Sequence, residues 1–299
     1  MKGWLVVNSF YKSEKLNTMY SFLTDSCQKR NVDLEIRTGA SLLCPVGQSI
    51  TNKYGKPDFV LFWDKDILLA RRLEQEGLPV FNGARGIELA DNKALTALAL
   101  VGKVPTPTTI IAPKTFEAFG YNNDEFLTKS AQTLGFPLVI KEVYGSFGQQ
   151  VYLANDLNQA KDIIKNIGWK DFVMQKFISS SRGSDIRVNV IGDKAVCAIA
   201  RRNENDFRSN ISNGGTATNF VITPTLEQLA VAATKALGLD FAGVDILHDS
   251  RAEGEDLYAH PLVCEVNSNP NFKSSIDVTG VDVSQHIVDY ICDKLGCNN

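Results

Sequence analysis

The chain has 299 residues, of which 44% are hydrophobic and 22% charged, with a formal net charge of −3. This is the make-up of an ordinary globular protein, with one large domain or two smaller ones. The charge gives no case for a nucleic-acid or anionic-membrane partner, and no apolar run reaches the ~18 residues of a membrane span. Six cysteines, Cys27, Cys44, Cys197, Cys264, Cys292 and Cys297, form no CxxC pair. The expectation is free thiols in a reducing cytoplasm, not a disulfide framework or a zinc site. Met1-Lys2-Gly3-Trp4 runs straight into Leu5-Val6-Val7, which is too short for the apolar region of a secretory leader.

Residues 4–7 read as a buried strand. Ser13 is placed to cap a helix that carries Leu16, Met19, Phe22, Leu23 and Cys27 at helical spacing. Strands are expected over 33–38, 59–63 and 80–81, with a helix over 67–76 stopped by Gly77. This β-α-β-β-α-β order implies a small α/β layer with a mostly parallel sheet. No GxGxxG follows its first strand, so it is not a dinucleotide site. A helical pattern covers 87–101, and Val104-Pro105-Thr106-Pro107-Thr108 after it is a stiff, extended connection.

A helix is expected over 123–134 and a strand over 137–141 that ends in a cation, Lys141. Tyr144 to Gln150 then supply a glycine-rich turn, and 151–153 a returning strand. Glycines let backbone N–H groups approach anionic oxygens and a lysine adds a point charge, so this hairpin suits a phosphate clamp. It is not a Walker A loop, and alone it reads first as a plain hairpin. Asn155 is placed to cap a helix over 156–167. In 185–191, Ile186, Val188 and Val190 alternate with Asp185, Arg187 and Asn189, and Gly192-Asp193 makes a tight turn into 194–202, which ends in Arg201-Arg202. The polar segment 203–215 has too many donors and too few apolar groups for a core. Thr223-Pro224 opens a helix, and Ser284 is placed to cap the last one.

Two further strands, 241–247 and 262–267, each wedge a carboxylate between apolar neighbours. Alternation puts Glu265 and Asn267 on one face and turns Asp245 away from Val244 and Ile246. Two carboxylates and an amide oxygen held together without a cation would be costly, and hard oxygen ligands suit Mg²⁺. The histidines, His248, His260 and His286, read as ordinary surface or loop residues, and Trp4, Trp63 and Trp169 as packing.

Taken together, Val139-Ile140-Lys141, Gly145-Ser146-Phe147-Gly148, Gln175-Lys176-Phe177-Ile178, Asp185-Ile186-Arg187, Arg201-Arg202, Asp206-Phe207-Arg208-Ser209-Asn210, Gly214-Gly215, Gly243-Val244-Asp245-Ile246 and Glu265-Val266-Asn267-Ser268-Asn269-Pro270 resemble the ATP-grasp superfamily. Within it they are most similar to the RimK-type α-L-glutamate and amino-acid ligases. The resemblance runs from about Asp91 to the end. It implies an α/β and α+β architecture, in which a small parallel-sheet layer (1–92) precedes an ATP-grasp unit (93–299) with a lid portion near 105–175 and a C-terminal portion near 176–299. The implied nucleotide contacts are Lys93 and Lys141 on phosphates, Gly145, Ser146, Phe147 and Gly148 as the lid, Lys176, Phe177 and Ile178 at the adenine, and Asp185 near the ribose. Arg208 and Asn210 would face the γ-phosphate. Asp245, Glu265 and Asn267 would hold Mg²⁺, or Mn²⁺ in its place.

The implied reaction is ATP-dependent amide formation through an acyl-phosphate, with Arg187, Arg202 and Arg208 as the catalytic cations. It joins an amino acid such as glutamate to a small molecule or peptide. The implied partners are a carboxylate and an amine, with no nucleic acid and no membrane; the family implies a homodimer or homotetramer. The alternatives are a non-catalytic ATP-binding regulator on the same fold and a peptide macrocyclase. The chain departs from the family pattern at Lys176, where an acid is usual, and at Tyr144 and Gln150 in the lid. On this reading Asp245→Asn abolishes ADP release and leaves the fold intact.

Overall fold

The computed structural model describes residues 1–145, 148–211, 214–250 and 258–296. Three sheets organise the chain. The first contains β1 (Lys2–Val7), β2 (Asp33–Thr38), β3 (Phe59–Trp63) and β4 (Val80–Phe81), in the order β2-β1-β3-β4 and parallel throughout. Its connections include α1 (Glu14–Lys29), α2 (Ile50–Tyr54) and α3 (Ile67–Gln75). All five residues of β3 are buried, as a strand covered on both faces requires. Ser13 caps α1 as expected, its side chain accepting the Leu16 N–H.

The helix expected over 87–101 is two helices, α4 (Ala84–Asp91) and α5 (Lys93–Leu100). Asn92 lies between them in an extended conformation, and its side-chain oxygen accepts the N–H groups of Ala94 and Leu95. Asparagine competes with the helix through such local bonds, and this one restarts the chain in a new direction. The break places Lys93 at the first position of α5.

The second sheet comprises β5 (Thr109–Ile111), β6 (Leu138–Glu142), β7 (Val151–Ala154) and β8 (Phe172–Lys176), in the order β5-β8-β6-β7, with neighbours antiparallel. Helices α6 (Glu125–Leu134) and α7 (Leu157–Ile167) cover one face through Leu127, Leu134, Ala160 and Ile164. Asp156, not Asn155, caps α7.

The third sheet has five antiparallel strands: β9 (Ser184–Ile191), β10 (Lys194–Arg202), β11 (Thr216–Phe220), β12 (Phe241–His248) and β13 (Pro261–Asn267). Their order is β11-β10-β9-β12-β13. Alternation on β9 sends Ile186, Val188 and Val190 into a core with Ala230, Ala233 and Leu237, from α8 (Pro224–Ala236) and the residue that follows it. The opposite face is left to Asp185, Arg187 and Asn189.

The chain closes with α9 (Lys273–Thr279) and α10 (Val283–Lys294). Asp282, not Ser284, caps α10; Ser284 is buried inside it and bonds the Ser26 hydroxyl at 2.9 Å. Met19, Leu23 and Cys27 of α1 share a core with Ile287, Val288 and Ile291 of α10. In the same core Trp63 stacks on Phe241, with ring centroids 5.5 Å apart, and meets Phe272 edge-on. A polar tie crosses the same junction. The fully buried Asn82 amide donates to Phe241 O at 2.9 Å and Ser268 O at 2.8 Å, and accepts the Asp240 and Phe241 N–H groups. The parallel sheet is therefore fixed to the start of β12 and the exit of β13. Two packing expectations fail: Trp169 is 47% exposed, and His248 is buried, its ring bonded to Ser181.

Candidate active site

A cleft of about 690 Å³ lies between the second and third sheets and reaches the loops after β1 and β3. Among the described residues it is lined by Lys93, Lys141, Gly145, Gly148, Lys176, Phe177, Ile178, Asp185, Arg187, Arg208, Asn210, Asp245, Glu265 and Asn267. Ser146 and Phe147 lie outside the described residues. Arg202 is not brought to the cleft. It follows Arg201 on β10, so it points to the other side, with its side chain 73% exposed and near Glu204. Arg201, with its side chain 4% exposed, occupies the place expected for Arg202.

The register of the third sheet builds the floor of the cleft. Glu265 on β13 stands opposite Asp245 on β12, and Asp245 stands opposite Arg187 on β9. One pair along, Asp185 faces Arg201. Arg187 binds Asp245 in a fork, with both distances 2.7 Å. Arg201 binds Asp185 in a second fork and also reaches Asp245 Oδ2 at 2.9 Å. The Ser209 hydroxyl donates to Asp185 Oδ2 at 2.6 Å. Asp185 thus anchors Arg201 and Ser209 at the edge of the cleft. Burial raises the Asp245 carboxyl, but the charges and hydrogen bonds of Arg187 and Arg201 outweigh it and hold the group below its ordinary value. The same pairing overcomes burial to push Arg201 upward.

A register shift between Asp245 and Ile246 skips one residue of β13, Cys264. In such a bulge neighbouring residues cease to alternate strictly, and Cys264 and Glu265 both line the cleft. Gly243 faces Asn267, and a Cβ there would lie 2.7 Å from Pro270 Cβ, so the chain leaving β13 packs directly on glycine.

On the opposite wall, Lys141 at the end of β6 is buried; its ammonium donates to Gln175 Oε1 at 2.7 Å and meets Cys264 Sγ at 3.5 Å. Lys93 donates to Gly145 O at 3.3 Å. Burial lowers the Lys93 ammonium, Glu265 partly restores it, and Lys141 and Lys65 lower it again. Arg208 donates to Gly148 O at 2.5 Å and to both oxygens of Asp206. Gly148 has φ +71°, and a Cβ there would lie 2.7 Å from Asn210 Oδ1. Lid and 206–210 segment therefore meet directly. Lys176 is exposed, its own N–H bonds Thr108 O, and among the described residues its side chain forms no ion pair.

The oxygen donors fit a hard cation. Among the described residues Glu265 has no ion pair or hydrogen bond, and Asn267 spends its amide N–H on Gly243 O at 3.2 Å, which leaves its oxygen available. Asp245 Oδ1 takes one hydrogen bond, short of what a carboxylate oxygen accepts. Among the described residues no three of His, Cys, Asp and Glu gather to hold a metal. The set is two carboxylates and an amide, suited to Mg²⁺ and not to zinc or copper.

The family model of the RimK-like ATP-grasp domain matches residues 90–291, and the chain belongs to that family. An uncharacterized protein of Mycoplasma pneumoniae, the MG012 homolog, is 31% identical over 268 residues, covering 88% of this chain and 89% of its own. A probable α-L-glutamate ligase of Trichodesmium erythraeum is 39% identical over 165 residues, which is 54% of this chain and 52% of that protein. This match thus spans about half of either protein.

The crystal structure of a RimK domain ATP-grasp protein from Sphaerobacter thermophilus superposes with a TM-score of 0.72 at 21% identity, covering 97% of this chain and 99% of that one. The D-alanine–D-alanine ligase of Bacillus anthracis in complex with ATP gives 0.71 at 19% identity, covering 99% and 97%. At these identities the two structures attest the ATP-grasp fold. Among the described residues no helix is long and apolar enough to cross a membrane.

Proposed function

We propose that the protein is an ATP-dependent carboxylate–amine ligase that forms an amide bond through an acyl-phosphate, adding an amino acid such as glutamate to a small molecule or peptide. One observation carries the reading: a single cleft gathers the cations Lys93, Lys141, Arg187, Arg201 and Arg208 together with the oxygen donors Asp245, Glu265 and Asn267. A carboxylate resists attack by an amine because its leaving group would be oxide. Transfer of the γ-phosphoryl group makes that leaving group phosphate and releases ADP. An amine then attacks the acyl carbon, the C–O bond to phosphate breaks, and the amide forms with loss of a proton.

The phosphoryl step needs alignment and charge neutralisation more than covalent help from the protein. Lys141 and Lys93 supply positive charge to the phosphates from one wall. Arg208 ties the lid to the 206–210 segment and so closes water out of the cleft. Arg187 and Arg201, already fixed by Asp245 and Asp185, present oriented N–H groups to an oxyanion at little reorganisation cost. Glu265, Asn267 and Asp245 would hold Mg²⁺, which neutralises phosphate charge when bound.

The test is ADP release measured across paired panels of carboxylates and amines, with Glu265→Gln as the control. The reading expects release that requires one acid and one amine together and falls at least about a hundredfold in the variant. Nucleotide binding with no ADP formed across the whole panel would favour the regulatory alternative.

A further inference from the structure

The cleft continues past the oxygen donors to the carboxyl ends of β1 and β3, where loops of an open parallel sheet commonly bind ligands. Asp64, just after β3, lines this end together with Tyr11, Tyr20 and Trp63. Its Oδ1 is fixed by two donors, the Asn8 side chain at 3.1 Å and the Lys65 N–H at 2.8 Å. The Asn8 amide is itself held, its oxygen accepting the Phe10 and Tyr11 N–H groups. Oδ2 takes no hydrogen bond and meets no cation among the described residues. Of the lysines lining the cleft, Lys65 pairs with Asp91 and Lys273 with Asp277, and Lys15 forms no ion pair with Asp64 among the described residues. Asn269 donates to the Asp64 backbone oxygen at 2.9 Å, which ties this loop to the chain two residues beyond Asn267.

The surroundings favour an organic cation. The Tyr20 phenol is pushed up to about 12 by burial first, then by the negative charge of Asp64 and by Tyr11. These three groups therefore face one space. Aromatic faces attract an ammonium or guanidinium group, and Leu16 and Met19 beside them offer apolar wall to an alkyl stem.

From this juxtaposition we infer that the N-terminal end of the cleft is a recognition site for a cationic group on one of the ligase substrates, an ammonium on an alkyl stem held by Asp64 Oδ2 against Tyr11, Tyr20 and Trp63. The inference rests on the ligase reading and adds the chemical class of the substrate. The recognised cation is not the amine that reacts, because a proton-bearing ammonium held on a carboxylate has no lone pair for attack. A substrate that supplies the reacting amine therefore carries a second nitrogen, as a diamine or a basic amino acid does.

The experiment titrates the intact protein with cadaverine and L-lysine, and with glutarate, which lacks an ammonium group, as an anionic control, by calorimetry and saturation-transfer NMR. AMP-PNP affinity is measured alongside. Both cations are expected to bind at millimolar concentration or below. Asp64→Asn should weaken them at least about tenfold, the effect of losing one charge-assisted bond, and leave AMP-PNP unchanged. Asp64→Glu should keep most of the affinity. Cations that fail to bind the wild type, or bind Asp64→Asn equally well, would overturn the site. Failure of AMP-PNP to bind the wild type would instead overturn the ligase reading beneath it.

Discussion

Asp245 and Glu265 are neighbours on adjacent strands, yet their environments differ and so should their variants. Asp245 sits between two arginines, and removing one partner of a buried ion pair leaves the others uncompensated. Asp245→Asn should therefore cost about 3 kcal/mol of stability, measured by urea unfolding, besides any loss of turnover. The sequence alone leaves the fold intact in this variant; its two arginine partners predict a loss of stability. Among the described residues Glu265 has no such partner, so Glu265→Gln should leave the urea midpoint within about 0.5 kcal/mol of wild type while nucleotide turnover collapses. A Glu265→Gln protein that turns over ADP at the wild-type rate would remove Glu265 from the site.

Lys93 offers a second prediction at this scale. Its ammonium is lowered, chiefly by burial, so it loses its charge at a lower pH than a free lysine. Nucleotide affinity should fall as pH rises through that point. Lys93→Arg should move the fall to higher pH, because guanidinium stays charged. An unchanged alkaline limb would show that another group governs it.

Among elements, the tie at Asn82 decides how well the oxygen donors are placed. It holds Asp240, the first residue of β12 and the residue after β13 through four hydrogen bonds. Asn82→Ala leaves several buried backbone groups without partners, at a cost of about 3 kcal/mol, measured as the shift in the urea midpoint. The lid is a second case. Gly148 is left-handed and lies against Asn210, so Gly148→Ala should weaken nucleotide binding by about 1–2 kcal/mol, the cost of that backbone conformation with a side chain. Loss of lid contact would appear in the same titration as a faster off-rate, and an unaltered Kd would mean the lid does not close on nucleotide.

For the whole molecule, the carboxylates set the acid limit of stability. Asp206 is lowered first by its hydrogen bond from Arg208, and Asp245 is lowered by its two arginines against the effect of burial. A carboxylate whose value is depressed in the fold stabilises it above the unfolded value, ordinarily 3.8 for these groups, and loses that contribution as pH falls through the depressed value. Stability should therefore be flat near neutrality and decline below about pH 4, as read from urea midpoints across pH. Asp245→Asn should flatten part of that decline. The shared core of α1 and α10 makes a further whole-chain demand: the two ends of the sequence should protect each other's amides in hydrogen exchange, since both helices lose their buried face together.

Much of this was legible in the residues themselves. Alternation in 185–191 assigned one face to apolar packing and the other to Asp185, Arg187 and Asn189, because a strand has a period of two and only one face can be buried against α8. Ser13 and Thr223 fixed helix starts through side-chain oxygens that act on the next turn. Alternation put Glu265 and Asn267 on one face of their own strand. These are local facts, set by rules that reach only a few residues along the chain.

What the sequence could not decide depends on partners distant along it. Arg201 and Arg202 are adjacent and chemically alike; only the pairing of β10 with β9 turns Arg201 onto Asp185 and leaves Arg202 in solvent. The skipped residue at Cys264 arises where β13 meets β12, and it alters which side chains share the cleft. Asn82 and Asp64 read as unremarkable loop residues until the parallel sheet docks beside β12 and β13. Local propensity fixes which way a side chain leaves its own strand, but what it meets there is fixed by packing between segments up to 258 residues apart, and that packing has no short-range signature.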